Sequence, residues 1–123
     1  MIFRTAGTLL VAALLVASIA TAPLASTTDF DGPWSVVVHT STGPCDPAAR
    51  FSGQIMNGEI YYAYGSIEVT GRVEANGATK VHVTYSGSHG EAHGHLTPTH
   101  GSGTWSGSGP DGYCAGTWEA TRK

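Results

Sequence analysis

The sequence predicts an all-β fold: a small antiparallel up-and-down β-barrel of about eight strands with one disulfide. Three observations predict it. Behind the first 25 residues, apolar and polar side chains alternate with period two, the spacing of a strand with one buried face. Turn signals recur at short intervals, and no helical periodicity appears between them. Two cysteines, Cys45 and Cys114, are the only pair, so any internal bridge has one connectivity.

The chain opens with "MIFRTAGTLLVAALLVASIATAPLAS". Arg4 supplies a positive start, and Leu9 to Ala20 form an apolar run of signal-peptide length. Ala20, Ala22 and Ala25 are small candidate cleavage ends. Pro23 would directly follow a cut at Ala22, which favours Ala20 or Ala25. The run is short for a membrane span, and no cysteine follows it to take a lipid. Residues 1–25 are therefore read as a signal peptide and 26–123 as a single barrel domain. The expected location is the periplasm or the outside, with no membrane span in the mature chain.

The strands follow in order. Phe30, Gly32, Trp34, Val36 and Val38 share one face of the first. Phe51, Gly53 and Ile55 alternate with Arg50, Ser52 and Gln54. Asn57-Gly58 then turns the chain, and Ile60, Tyr62 and Tyr64 continue on a partner strand. Ile67, Val69, Gly71, Val73 and Ala75 alternate with polar residues up to Asn76-Gly77. Asn-Gly is the strongest two-residue hairpin signal, because both positions must tolerate positive φ. Val81, Val83 and Tyr85 form the return strand. "EAHGHLTPT" and "GSGTWSG" read as two further strands, with Ala92, Gly94 and Leu96 inward on the first. Cys114, Gly116, Trp118 and Ala120 share one face of the last.

Export makes a Cys45–Cys114 disulfide the default, with Cα atoms expected about 4.4–6.8 Å apart. Closing a loop of roughly 70 residues is worth about 4 kcal/mol in the chain-entropy account. The pair also bears on topology. In a simple meander of eight strands, a cysteine just beyond strand one meets one starting strand eight only if those strands are neighbours. That condition closes the barrel.

Every Trp has a Gly two positions before it: Gly32 before Trp34, Gly103 before Trp105, Gly116 before Trp118. Residues two apart on a strand share a face, so inward indoles imply inward glycines. The interior of an eight-strand barrel is just wide enough for side chains to fill, and glycine leaves room for a ring. The expected role is core packing. A ligand-stacking role for Trp34, Trp105 or Trp118 is the alternative.

Composition narrows function. Charged residues are 12%, with six Lys and Arg against nine Asp and Glu. Without Arg4 the mature chain carries a formal charge of −4. No basic patch exists to hold phosphates, so a nucleic-acid partner is not expected. No Gly-x-Ser-x-Gly elbow or His-Glu-x-x-His occurs. Glu59, Glu68, Glu74 and Glu119 fall on outward or turn positions, and the chain is not read as an enzyme.

Two sets of candidate binding residues remain. Tyr61, Tyr62 and Tyr64 are the aromatic contacts expected for a small apolar ligand. His89, His93, His95 and His100 are candidates for a weak surface site for copper, nickel or zinc, since His93 and His95 share a strand face. Ala92, Gly94 and Leu96 take the inward face, which sends those imidazoles outward. His39 and His82 fall outward too. No cofactor is expected; haem needs a large apolar pocket, and the glycine-rich interior offers few big side chains to line one.

"FDGPWSVVV" resembles the Gly-x-Trp opening of lipocalins and avidins, which are up-and-down barrels that hold small ligands. A resemblance across nearly the whole mature chain rests on "FDGPWSVVVHTSTGPCDPAARFSGQIMNG", "GRVEANG" and "GSGTWSG…CAGTWEATRK". These are similar to a group of small exported alphaproteobacterial proteins, largely uncharacterised. Some of them carry a label of haem utilisation or adhesion. The resemblance implies export and a similar fold, and brings no catalytic or ligand residues. The functional expectation is an exported, non-catalytic binding module for a small apolar ligand or an extracellular partner. The alternatives are a structural or adhesive envelope protein without a small ligand, and weak metal binding through the His89–His100 segment.

Overall fold

Eight strands follow one 3-10 turn, Thr27–Phe30: β1 Gly32–Thr42, β2 Ala48–Met56, β3 Glu59–Tyr64, β4 Ile67–Val73, β5 Ala78–Tyr85, β6 Ser88–Leu96, β7 His100–Gly109 and β8 Gly112–Arg122. The structure is a computed structural model, and it describes residues 27–123. The signal-peptide assignment lies outside them. Each strand pairs antiparallel with the next, and β8 returns to pair with β1, which closes the barrel. Among the described residues no helix is long and apolar enough to cross a membrane.

The disulfide sits on the closing seam. Cys45, in the loop after β1, is bonded to Cys114 near the start of β8, with Cα atoms 6.2 Å apart. It ties the β1–β2 loop to the strand that completes the barrel, as the meander argument requires. Such a bridge fits an oxidising compartment.

Two expectations about local structure are corrected. Phe30 is not a strand residue. It ends the 3-10 turn and plugs one end of the barrel, 4% exposed. Asn76 and Gly77 do not form a two-residue hairpin loop. Residues 74–77 make a longer connection in which Glu74 N–H donates to Ala78 O and Gly77 N–H to Glu74 O, both at 2.8 Å. Only Gly77 takes a positive φ there, so Ala75 lies in the turn and not on the inward face. At Asn57 and Gly58 both φ values are positive, 52° and 75°, as the sequence implies.

The two ends of the barrel differ. At the plugged end, Phe30, Trp34, Ile55, Val73, Leu96, Trp118 and Ala120 form one buried cluster. Arg122 fastens this end. Its guanidinium donates to the carbonyl oxygens of Asp29 (2.8 Å), Pro98 (3.1 Å) and Asp31, and lies 5.8 Å from the centre of the Trp34 ring. The Asp31 carboxylate accepts the N–H groups of Asn57 (2.8 Å) and Gly58 (3.1 Å). The entering chain is thereby bonded to the β2–β3 turn.

The other, disulfide end holds the β1–β2 loop and the β3–β4, β5–β6 and β7–β8 turns. One seam is incomplete towards it. β2 and β3 pair only at Ile55↔Ile60 and Met56↔Glu59. β1–β2 has eight pairs and β3–β4 has six. Above Ile55 and Ile60, the two strands therefore present free edges to each other.

Candidate functional site

The inward face near the disulfide end carries Val38, Phe51, Tyr62, Tyr64, Ile67, Val69, Val83 and Tyr85. Register fixes this. Phe51 pairs with Val36, Tyr62 with Val69, Tyr64 with Ile67, and Ile67 with Tyr85. Inward residues of a filled barrel are buried. Here the aromatic ones are open to solvent: Phe51 48%, Tyr62 39%, Tyr64 74% and Tyr85 51%. Short strands explain part of this. β3 has six residues, and the chain turns at Gly65 directly after Tyr64. The unpaired stretch of the β2–β3 seam explains the rest.

The gap has a defined lining. A two-residue turn makes Met56↔Glu59 a hydrogen-bonded closing pair. Alternation then aims the N–H and C=O of Gln54, Ser52 and Arg50 into the gap from β2, and those of Tyr61 and Ala63 from β3. Gly53 stands inward beside it. A Cβ placed on Gly53 would meet nothing within 4 Å, so the interior has room at that position.

The expected site residues divide. Tyr62 and Tyr64 belong to this aromatic end. Tyr61 does not, because it pairs with Thr70 on the outer face and points away from the interior. The three tryptophans sit lower, in or against the buried cluster. Trp34 is 2% and Trp118 6% exposed. Their indole N–H groups are all engaged: Trp34 with Phe30 O (2.8 Å), Trp105 with His39 O (2.9 Å) and Trp118 with His93 O (3.2 Å). Burial with a satisfied N–H makes Trp34 and Trp118 core residues and leaves them no face for a ligand.

No three of the histidines converge on one point. His89, His93 and His95 stand outward along β6, about 6.7 Å apart per step of two residues. His100 begins β7, with Nδ1 2.9 Å from Thr99 Oγ1. Among the described residues, no group of three or more His, Cys, Asp or Glu side chains is placed to hold an ion. The His93 ring instead lies 3.7 Å from the Glu91 carboxylate, whose other oxygen is 3.3 Å from Nδ1 of His82. This trio escaped the sequence reading. Glu91 falls on the outward alternation beside His93, but its pairing with His82 depends on the β5–β6 register.

Phe51 and Tyr85 also belong to the open aromatic end. Their inward parity was visible in the alternation; their exposure depends on where the β2–β3 seam parts. No protein-family model, no curated protein and no solved structure matches this chain.

Proposed function

We propose that the protein is an exported, non-catalytic binding barrel that takes a small apolar ligand at its disulfide end. One observation carries the reading. Phe51, Tyr62, Tyr64 and Tyr85 have inward parity, yet they remain 39–74% exposed. They lie outside the buried cluster, and next to Phe51 a Cβ on Gly53 would meet nothing within 4 Å. A protein with no use for that end would bury apolar rings of this size, since each is worth on the order of 2 kcal/mol when fully covered. Ligand sites favour the mouths of β-barrels and are lined by aromatic side chains with a few polar groups. The gap between β2 and β3 supplies an entrance from the side, with free backbone N–H and C=O groups to fix a polar atom of the ligand. The plugged end, with its engaged tryptophans, supplies a rigid floor.

The test is a titration of the oxidised protein with the neutral apolar dye 1-N-phenylnaphthylamine. Saturable fluorescence enhancement is expected, weakened at least tenfold by Phe51→Ser and by Tyr62→Ser. A structural or adhesive barrel without a ligand would give no saturable signal, or one unchanged by either substitution. Capture from a metabolite extract, read by mass spectrometry, would then identify the natural ligand.

A further inference from the structure

The outer face of β6, β7, β8 and β1 holds a groove of about 400 Å³. It lies on the solvent side of the barrel wall and shares no side chain with the aromatic end. Two cross-strand rows make its floor. One runs from His93 through Thr104 to Thr117. The other runs from Glu91 through Ser106 and Ala115 to Thr42. Four strands at ladder spacing make this floor about 14 Å wide. The outward side chains between its walls are all short, which is why a depression forms there; Trp105 and Gly116, of inward parity, border it from beneath.

The walls are larger. Glu91 and His93 stand on the β6 side. Glu91 is held in direction by the two imidazoles of His82 and His93, at 3.3 and 3.7 Å. Tyr113 rises on β8, two residues before Ala115 and on the same face, with 56% of its surface exposed. A register shift between Thr40 and Thr42 adds Ser41 at the β1 edge.

The lining selects a ligand class by elimination. Among the described residues that line the groove, none is Lys or Arg, Ala115 is the one aliphatic side chain, and Trp105 and Tyr113 are the aromatic ones. An anion would meet the Glu91 carboxylate with no fixed cation to offset it. A wholly apolar molecule would cover hydroxyl groups without replacing their hydrogen bonds, which costs free energy. What remains is a neutral ligand with many hydroxyls and one apolar face. Hydroxyls of Thr42, Thr104, Ser106 and Thr117 can both donate and accept, and the Glu91 carboxylate accepts strongly. The exposed Tyr113 ring offers a flat apolar platform with a polar tip. We infer that this groove binds a neutral saccharide, with a sugar ring laid against Tyr113 and its hydroxyls on Glu91 and the threonine rows.

Saturation-transfer difference NMR on the oxidised protein tests this with glucose, galactose, mannose, N-acetylglucosamine, cellobiose and chitobiose as probes. Transfer to at least one probe is expected, with a Kd of about millimolar order. Tyr113→Ala and Glu91→Gln should each weaken it at least tenfold, while Tyr113→Phe, which keeps the platform, should stay within about threefold. Circular dichroism verifies that each variant is folded, and both positions are exposed enough to tolerate change. Absence of transfer from all six probes at about ten times that Kd overturns the assignment. So does transfer that survives both Tyr113→Ala and Glu91→Gln.

Discussion

Trp118 lies directly opposite Gly103 in the β7–β8 register, and its indole crosses that glycine to donate its N–H to His93 O on β6, 3.2 Å away. The relation is reciprocal. Trp105 lies opposite Gly116, and its indole crosses it in the other direction to reach His39 O on β1, 2.9 Å away. Each Gly-x-Trp segment therefore supplies an indole for one direction and a gap for the other. The glycine two positions before a tryptophan serves the tryptophan of the neighbouring strand. Gly32 departs from this scheme: a Cβ there would stand 3.4 Å from Arg122 Nη2, so Gly32 makes room for the guanidinium that covers Trp34.

Gly116→Val tests the reciprocal packing. A Cβ on Gly116 would fall on the backbone oxygen of His39 and 2.9 Å from Trp105 Nε1. A backbone atom in a paired strand has little freedom to move. Overfilling a tight interior costs roughly 1–3 kcal/mol, occasionally more, and this position belongs at the upper end. Valine's strand propensity offsets less than about 1 kcal/mol of that. Chemical denaturation of the oxidised protein measures it, and a stabilised variant would mean that the faces of β8 are reversed.

Trp118→Ala and Thr117→Val separate the two faces of β8 directly. Trp118 is 6% exposed and Thr117 is exposed. Truncating the buried indole should cost roughly 3–5 kcal/mol, and the outward change about 0.5 kcal/mol or less. Equal effects in denaturation would contradict the placement.

The alternation made most of the wall legible, because a one-residue error would turn a whole strand inside out. Parity alone places Trp34, Ile55, Val73, Leu96 and Trp118 inward, and the cysteine pair implies the β1–β8 seam. What the alternation could not convey is height along the barrel axis. Tyr62 and Val73 share a parity, yet one is 39% exposed and the other fully buried. That difference arises from strand stagger and from the parting of β2 and β3. Arg122 was equally hidden: an arginine on the polar end of a strand reads as solvated until Asp29 and Asp31 are seen to meet the end of β8. The Glu91 trio and the Tyr113 groove depend on cross-strand register, which no local pattern contains.

Arg122→Ala should destabilise by roughly 1.5–3 kcal/mol, the range for hydrogen bonds to a charged donor. The guanidinium bridges the 3-10 turn, the β6–β7 turn and the Trp34 ring at once. Arg122→Lys should recover little, because an ammonium lacks the planar fork and the stacking face. Thermal and chemical denaturation both report it, and full recovery by lysine would reduce the role of Arg122 to charge alone.

Replacing Cys45 and Cys114 by Ala removes the link across the closing seam. The residues are 69 apart in sequence, and releasing a loop of that size costs about 4 kcal/mol in the chain-entropy account. The double variant should show a much lower denaturation midpoint, and the wild type isolated without reductant should show no free thiols by non-reducing mass analysis. A midpoint unchanged in the double variant would mean that the β1–β8 ladder closes the barrel without help.

Gly53→Val links stability to binding. Gly53 is the inward residue opposite Trp34, its φ lies outside the left-handed region, and a Cβ there meets nothing within 4 Å. Nothing in the fold therefore requires glycine. Valine should stabilise the strand by about 0.5–1 kcal/mol, through propensity and reduced freedom of the unfolded chain. Its methyl groups, however, enter the space that the apolar ligand is proposed to occupy beside Phe51 and Tyr62. The expected outcome is a more stable protein whose affinity for 1-N-phenylnaphthylamine falls at least tenfold. Most binding variants lose stability and affinity together, which leaves unfolding as an explanation. Here the two move in opposite directions, so unfolding is ruled out. A stabilised variant with unchanged dye affinity would place the ligand away from this end. A destabilised one would show that the interior around Gly53 is already filled.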